Sequence, residues 1–189
     1  MSQKLCSLRA RALACLWHLG QPCAVVLTAC ASNHTVPQSH LATRGDPVVF
    51  SFLTSDGVSF DSQGTRGRVT AILLITTYDL TSQLVARRLN DLLSSFRPRF
   101  NVAAVVLEPP KYAVLLEPFK SSLGLRYPVV LADYATLRGD GIFGKIPEVP
   151  IVIVLDPEGR PVWRLAGPAT EQQIKKALRE AGPDPGKMQ

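Results

Sequence analysis

Beyond residue 40 the sequence contains neither cysteine nor histidine. All four cysteines (Cys6, Cys15, Cys23, Cys30) and all three histidines (His18, His34, His40) lie in the first 40 of 189 residues. The rest of the chain can therefore close no internal disulfide and present no CxxC pair. Peroxide reduction and disulfide exchange both proceed through a thiolate, so neither chemistry has a nucleophile here. Copper carriage through CxxxC and a distal histidine is excluded in the same way, and carboxylates alone suit only harder ions. No cofactor and no metal are expected. Ser82 has no histidine base for nucleophilic catalysis. Gly139-Asp140-Gly141 and Gly64-Thr65-Arg66-Gly67 lack the lysine and serine spacing of a phosphate loop and read as turns.

Acidic residues are missing from the first 29 positions, which hold Lys4, Arg9 and Arg11. The formal charge of +6 therefore falls to +3 for the remainder, with 18 basic and 15 acidic residues spread along the sequence. That spread argues against nucleic acid as a partner, because such binding needs bases gathered on one face. A hydrophobic fraction of 46% supports a real core, and the length suits one globular domain.

The opening MSQKLCSLRARALACLWHLGQPCAVVLTAC has a basic start, an apolar stretch over residues 12 to 27 and a small-residue end, the organisation of a secretory signal. Its apolar stretch is interrupted by His18, Gln21 and Pro22 and is short for a membrane span. Leu27-Thr28-Ala29-Cys30 resembles the bacterial lipobox. That resemblance implies cleavage before Cys30 and lipid on its sulfur and amino group; an ordinary signal-peptidase site at Ala29-x-Ala31 is the alternative. Ala31 comes after the cysteine where an aspartate would favour inner-membrane retention, so the outer membrane is the expected location in a Gram-negative host. Residues 1–29 thus read as a lipoprotein signal peptide and 30–47 as a lipidated tether. A domain over 48–181 and a tail over 182–189 complete the chain.

From residue 48 onward, short β-branched runs alternate with helical patterns. VVFSFL (48 to 53) and GVSF (57 to 60) suit a hairpin about Ser55-Asp56-Gly57. VTAILLIT (69 to 76) and NVAAVVLE (101 to 108) are continuous apolar runs of the kind that is buried on both faces. Between them Leu84, Val85, Leu89, Leu92, Leu93 and Phe96 recur at helical spacing over 80 to 96. Residues 111 to 123 read as a helix that Pro118 kinks or restarts. YPVVLAD (127 to 133) is extended and 134 to 145 is turn-rich. Residues 150 to 155 form another strand, Asp156-Pro157-Glu158-Gly159 a tight turn, and 161 to 166 an antiparallel return. Thr170 starts a last amphipathic helix with Ile174, Ala177 and Leu178 inward. The expected fold is α/β: a mixed sheet flanked by helices on both faces, with an N-terminal β-hairpin extension.

IPEVPIVIVLDPEGR (146 to 160) resembles the V-x-x-[VT]-P-x-x-F-L-I-D-x-x-G-[RK] pattern of the thioredoxin superfamily, within it the TlpA-like and redoxin-type envelope proteins. Pro150, Asp156, Gly159 and Arg160 match its spacing. GRVTAILLITTYDLTSQLVARRLNDL (67 to 92) is similar to the segment that carries Trp-Cys-x-x-Cys in that family. The resemblance places the tryptophan at Tyr78 and the two cysteines at Asp79 and Ser82. Leu89 and Leu92 then fall on helix-core positions. It implies a degenerate site at Tyr78, Asp79 and Ser82, in which Asp79 serves as a helix N-cap and Tyr78 sits in the core or lines a small groove. It also implies a cis Val149-Pro150 bond facing that turn, with backbone free to pair with an extended peptide; Pro147 lies outside the motif spacing. The implied function is a membrane-anchored envelope lipoprotein with a redox-inactive thioredoxin-like domain that binds or scaffolds a protein or peptide partner. The alternative is a thiol-disulfide oxidoreductase or peroxiredoxin-like antioxidant by family membership, its catalytic cysteines lost.

Overall fold

A computed structural model of the protein describes residues 45–54 and 57–182. The signal, Cys30, the tether as far as residue 44 and the tail from 183 lie outside the described residues. The described part holds a five-stranded mixed sheet, a two-stranded hairpin and four α-helices among its elements.

The hairpin pairs β1 (Ser51–Leu53) with β2 (Ser59–Asp61) in antiparallel register. It is shorter than the apolar runs suggest. The main sheet contains β3 (Thr70–Ile75), β4 (Asn101–Val106), β5 (Val129–Leu131), β6 (Ile151–Leu155) and β7 (Pro161–Ala166). Their order is β5-β4-β3-β6-β7; β3, β4 and β5 are parallel neighbours, and β6 and β7 run antiparallel. The long apolar runs occupy the middle because a central strand covered on both faces has no solvated side to tolerate polar residues. All six residues of β3 are buried. Alternation then divides its side chains: Ala71, Leu73 and Ile75 face one core, Ile72 and Leu74 the other.

The first core is closed by α1 (Leu80–Ser95), α2 (Leu116–Leu123) and α4 (Glu171–Glu180), through Val85, Leu89, Leu92, Phe119, Ile174 and Leu178. The second is closed by the hairpin, through Phe50 and Phe52, together with Phe143 and Leu137 of α3 (Tyr134–Arg138). Helices thus flank the sheet on both sides, although one side has only the short α3. Each fully buried aliphatic side chain contributes about 1.5–3 kcal/mol over an exposed one. Arg88 donates to the Ala169 carbonyl at 2.7 Å, which ties α1 to the entrance of α4. At that entrance Thr170 accepts from the Gln173 N–H and Gln173 accepts from the Thr170 N–H, a reciprocal capping box.

Two local expectations change, and a third, left open between two outcomes, is decided. Residues 134 to 145 are not all turn: Asp133 caps α3 by accepting from the Thr136 N–H at 2.7 Å, and Gly139 closes it in a left-handed conformation. Of the kink or restart expected at Pro118, the chain shows the restart. Pro118 lies in the first turn of α2, where a missing N–H leaves no helical bond unmade, and the segment before it, Pro110–Leu115, is a 3-10 helix. Leu84, expected inward, is half exposed on α1.

The β6–β7 turn shows how tightly sequence is read at one point. Gly159 has φ +78, and the Arg66 guanidinium lies so close over it that an added Cβ would collide. The substitution Gly159→Ala is expected to lower stability by about 1–2 kcal/mol from backbone strain, with Arg66 displaced in addition. Urea unfolding monitored by circular dichroism checks this; an unchanged midpoint would contradict the geometry.

Candidate functional site

The site is built where β3 leaves the sheet. Leu74 pairs with Ile151 across the β3–β6 ladder, so continuing the register sets Pro150 opposite Ile75 and Val149 opposite Thr76. The Val149-Pro150 bond is cis, and the Pro150 carbonyl accepts from the Gly167 N–H at 2.7 Å. The fold therefore brings both halves of the expected site, residues 77 to 82 and 149 to 150, to the same end of two adjacent strands.

Asp79 is the N-cap of α1. Its backbone is extended (φ −85, ψ 121), and its carboxylate accepts from the Ser82 N–H at 2.6 Å. The Ser82 side chain beside it holds the Asp79 carboxyl below its ordinary value; partial burial opposes this, and the backbone N–H groups of Ser82 and Thr81 add to it. Ser82 itself is fully buried and faces the core, and its hydroxyl makes no hydrogen bond of ordinary geometry. Tyr78 is not in the core. It is 78% exposed, as is Leu80, so that an aromatic ring and an aliphatic side chain stand out on either side of the half-buried cap.

Glu108 was not singled out by sequence, where it reads only as the polar end of an apolar run. It is 5% exposed and accepts from both the N–H and the hydroxyl of Thr77, at 2.6 and 2.7 Å. The Gln83 amide donates to the Thr77 carbonyl at 2.9 Å. Thr77 is thus held at all its backbone polar groups and its hydroxyl, which fixes the path into Tyr78 and Asp79. The one sequence signal was a lone acid between a strand and two prolines: a buried charge there must find partners. On the other side, Arg164 of β7 donates to the carbonyls of Phe143 and Lys145, holding the segment that leads to Pro150; burial lowers its pKa.

Chemically, the junction offers a carboxylate engaged by helix N–H groups and an enclosed hydroxyl. Among the described residues no group of three or more His, Cys, Asp or Glu could hold a metal ion.

No family model matches the chain, and no curated protein matches it by sequence. Solved structures do match. A thiol:disulfide interchange protein of the thioredoxin family from Chlorobium tepidum is 20% identical with a TM-score of 0.60; the match covers 74% of this chain and 97% of that one. A secreted thiol-disulfide isomerase from Corynebacterium glutamicum is 14% identical, with a TM-score of 0.64 and coverage of 76% and 90%. StoA from Bacillus subtilis is 20% identical, with a TM-score of 0.55 and coverage of 70% and 97%. These likenesses establish the fold: the domain is thioredoxin-like.

The cap has a measurable signature. Asp79→Ala is expected to lower stability by about 1 kcal/mol at neutral pH, the ordinary worth of an N-cap. Because the folded carboxyl titrates below its ordinary value of 3.8, its contribution is complete above that pH and is lost as pH falls through the depressed folded value. Urea midpoints of the two proteins should therefore converge below pH 3.8. A gap that persists undiminished in acid would remove the role assigned to the carboxylate.

Proposed function

We propose that the protein is a membrane-anchored envelope lipoprotein whose thioredoxin-like domain binds a protein or peptide partner without redox chemistry. The observation that carries this reading is the occupancy of the α1 N-terminus. In an oxidoreductase of this fold the helix N-terminus stabilises an attacking thiolate. Here Asp79 uses the same N–H groups as a cap, and a carboxylate forms no mixed disulfide. Ser82, three residues beyond the cap, is sealed in the core.

What remains accessible suits docking. Tyr78 and Leu80 are exposed where the chain has left β3, and aromatic side chains are favoured anchors in protein interfaces. An extended peptide could draw on loop backbone for hydrogen bonds and on this apolar pair for burial. Anchoring rests on Cys30 and the signal-like segment before it; among the described residues no helix is long and apolar enough to cross a membrane. The secreted neighbour from Corynebacterium glutamicum supports an extracytoplasmic setting. The names of the solved neighbours also favour a second reading, thiol-disulfide exchange, for which residues 41 to 189 supply no sulfur apart from Met188.

An insulin-reduction assay separates the two. The native chain should show no turnover above the thiol background, whereas Asp79→Cys combined with Ser82→Cys should cycle, since the helix N-terminus is retained. Turnover by the native chain would defeat the proposal. A photo-crosslinker at position 78 should capture an envelope protein. Leu80→Ala should weaken that complex about tenfold, the usual effect of truncating an interface anchor.

A further inference from the structure

A cavity beside the start of β5 lies at the other end of the sheet from the candidate site. β5 is only three residues long and pairs with residues 104–106 of β4, so the first half of β4 has no strand on that side among the described residues. Alternation turns the N–H and C=O of Val102 toward this vacant side, since its neighbour Asn101 donates to Val69 on the other. Pro128, at the end of the short ladder, has no N–H to offer the Val102 carbonyl, and its own carbonyl accepts from Ala104 at 2.9 Å. Residues 126–128 accept nothing from the Val102 N–H, although Val102 is buried. A backbone donor and acceptor thus face the space into which a longer β5 would extend.

Val102 lines a cavity of about 360 Å³, within the range of small-molecule sites, roughly 300–1,000 Å³. Phe60, Leu93 and Phe100 supply apolar lining, and the charged residues of the lining are Asp61 of β2 and Arg126, one of each sign. Asp61 accepts from the Gly64 N–H at 2.8 Å through one oxygen and from the Ser59 hydroxyl at 3.0 Å through the other. The Gly64 N–H, with Ser59 adding to it, holds the Asp61 carboxyl below its ordinary value, so the group is ionised at neutral pH. Nη2 of Arg126 donates to the Asn90 carbonyl at 3.0 Å and to the Ser94 hydroxyl. This anchors the guanidinium and leaves Nε and Nη1 without a hydrogen bond among the described residues. Neither Asp61 nor Arg126 makes an ion pair among those residues. Opposite charges therefore border one partly apolar cavity without neutralising each other.

We propose that this cavity binds a small zwitterion with an apolar body, a free amino acid or a dipeptide, with its ammonium on Asp61 and its carboxylate on Arg126. Open donors on an anchored guanidinium suit a carboxylate, and each Asp61 oxygen keeps a lone pair for an ammonium. The N–H and C=O of Val102 add the donor and acceptor that an amino or peptide group satisfies. Charge makes the site selective. A simple anion meets Asp61 and a simple cation meets Arg126, whereas a molecule carrying both charges satisfies both walls.

The full chain should be titrated calorimetrically at neutral pH with leucine, leucyl-leucine, leucinamide and N-acetyl-leucine. Leucine or leucyl-leucine should bind saturably, and the tighter of the two tells a free amino acid from a peptide. Leucinamide, which lacks the carboxylate, and N-acetyl-leucine, which lacks the ammonium, should each bind about tenfold more weakly than the zwitterion. Arg126→Gln should remove the preference over leucinamide and keep that over N-acetyl-leucine; Asp61→Asn, which retains an acceptor for Gly64, should do the reverse. A residue that only supports the fold would instead change all four affinities together. No saturable heat from either zwitterion overturns the proposal, and so do native affinities indifferent to the loss of one charge. Variants that lower every affinity by the same factor overturn it as well.

Discussion

The direction of β3 is the constraint on which the rest of the molecule depends. This strand is hydrogen-bonded on both edges, parallel to β4 and antiparallel to β6, and is enclosed on both faces. No one-residue slip is open to it, since a slip would exchange the two sets of side chains that fill different cores. Once β3 is fixed, the residues after Ile75 meet those before Ile151, and the residues before Thr70 meet those after Leu155. The two ends of the sheet acquire their residues from segments far apart in the chain.

At the upper end, local polar bonding converts this placement into a fixed turn. Glu108, just past β4, reaches Thr77, just past β3, because the two parallel strands end side by side. Hydrogen bonds to a charged acceptor are worth more than neutral ones, about 1.5–3 kcal/mol. The buried carboxylate is tolerable only because those donors are present. Asp79 then starts α1 at a defined point, and Leu89 and Leu92 enter the core about three and three and a half turns later.

Periodicity made much of this readable in the sequence. Unbroken apolar runs marked β3, β4 and β6, and the recurrence of Val85, Leu89 and Leu92 marked α1, because burial on two faces or on one stripe leaves those patterns. α3 was too short for periodicity, and only its caps, Asp133 and Gly139, carried a signal. Of the two positions expected for Tyr78, the core one failed for a physical reason: the residue precedes the cap, where the chain has left the sheet and has not yet turned inward. The partnership of Glu108 with Thr77, 31 residues away, depended on strand order.

The side chains left exposed at the upper end bear on what it can recognise. At the upper end the one site carboxylate, Asp79, is already bound by helix N–H groups, and the exposed side chains beside it are Tyr78 and Leu80. Recognition there must draw on apolar burial and backbone hydrogen bonding, which are short-ranged and sensitive to shape.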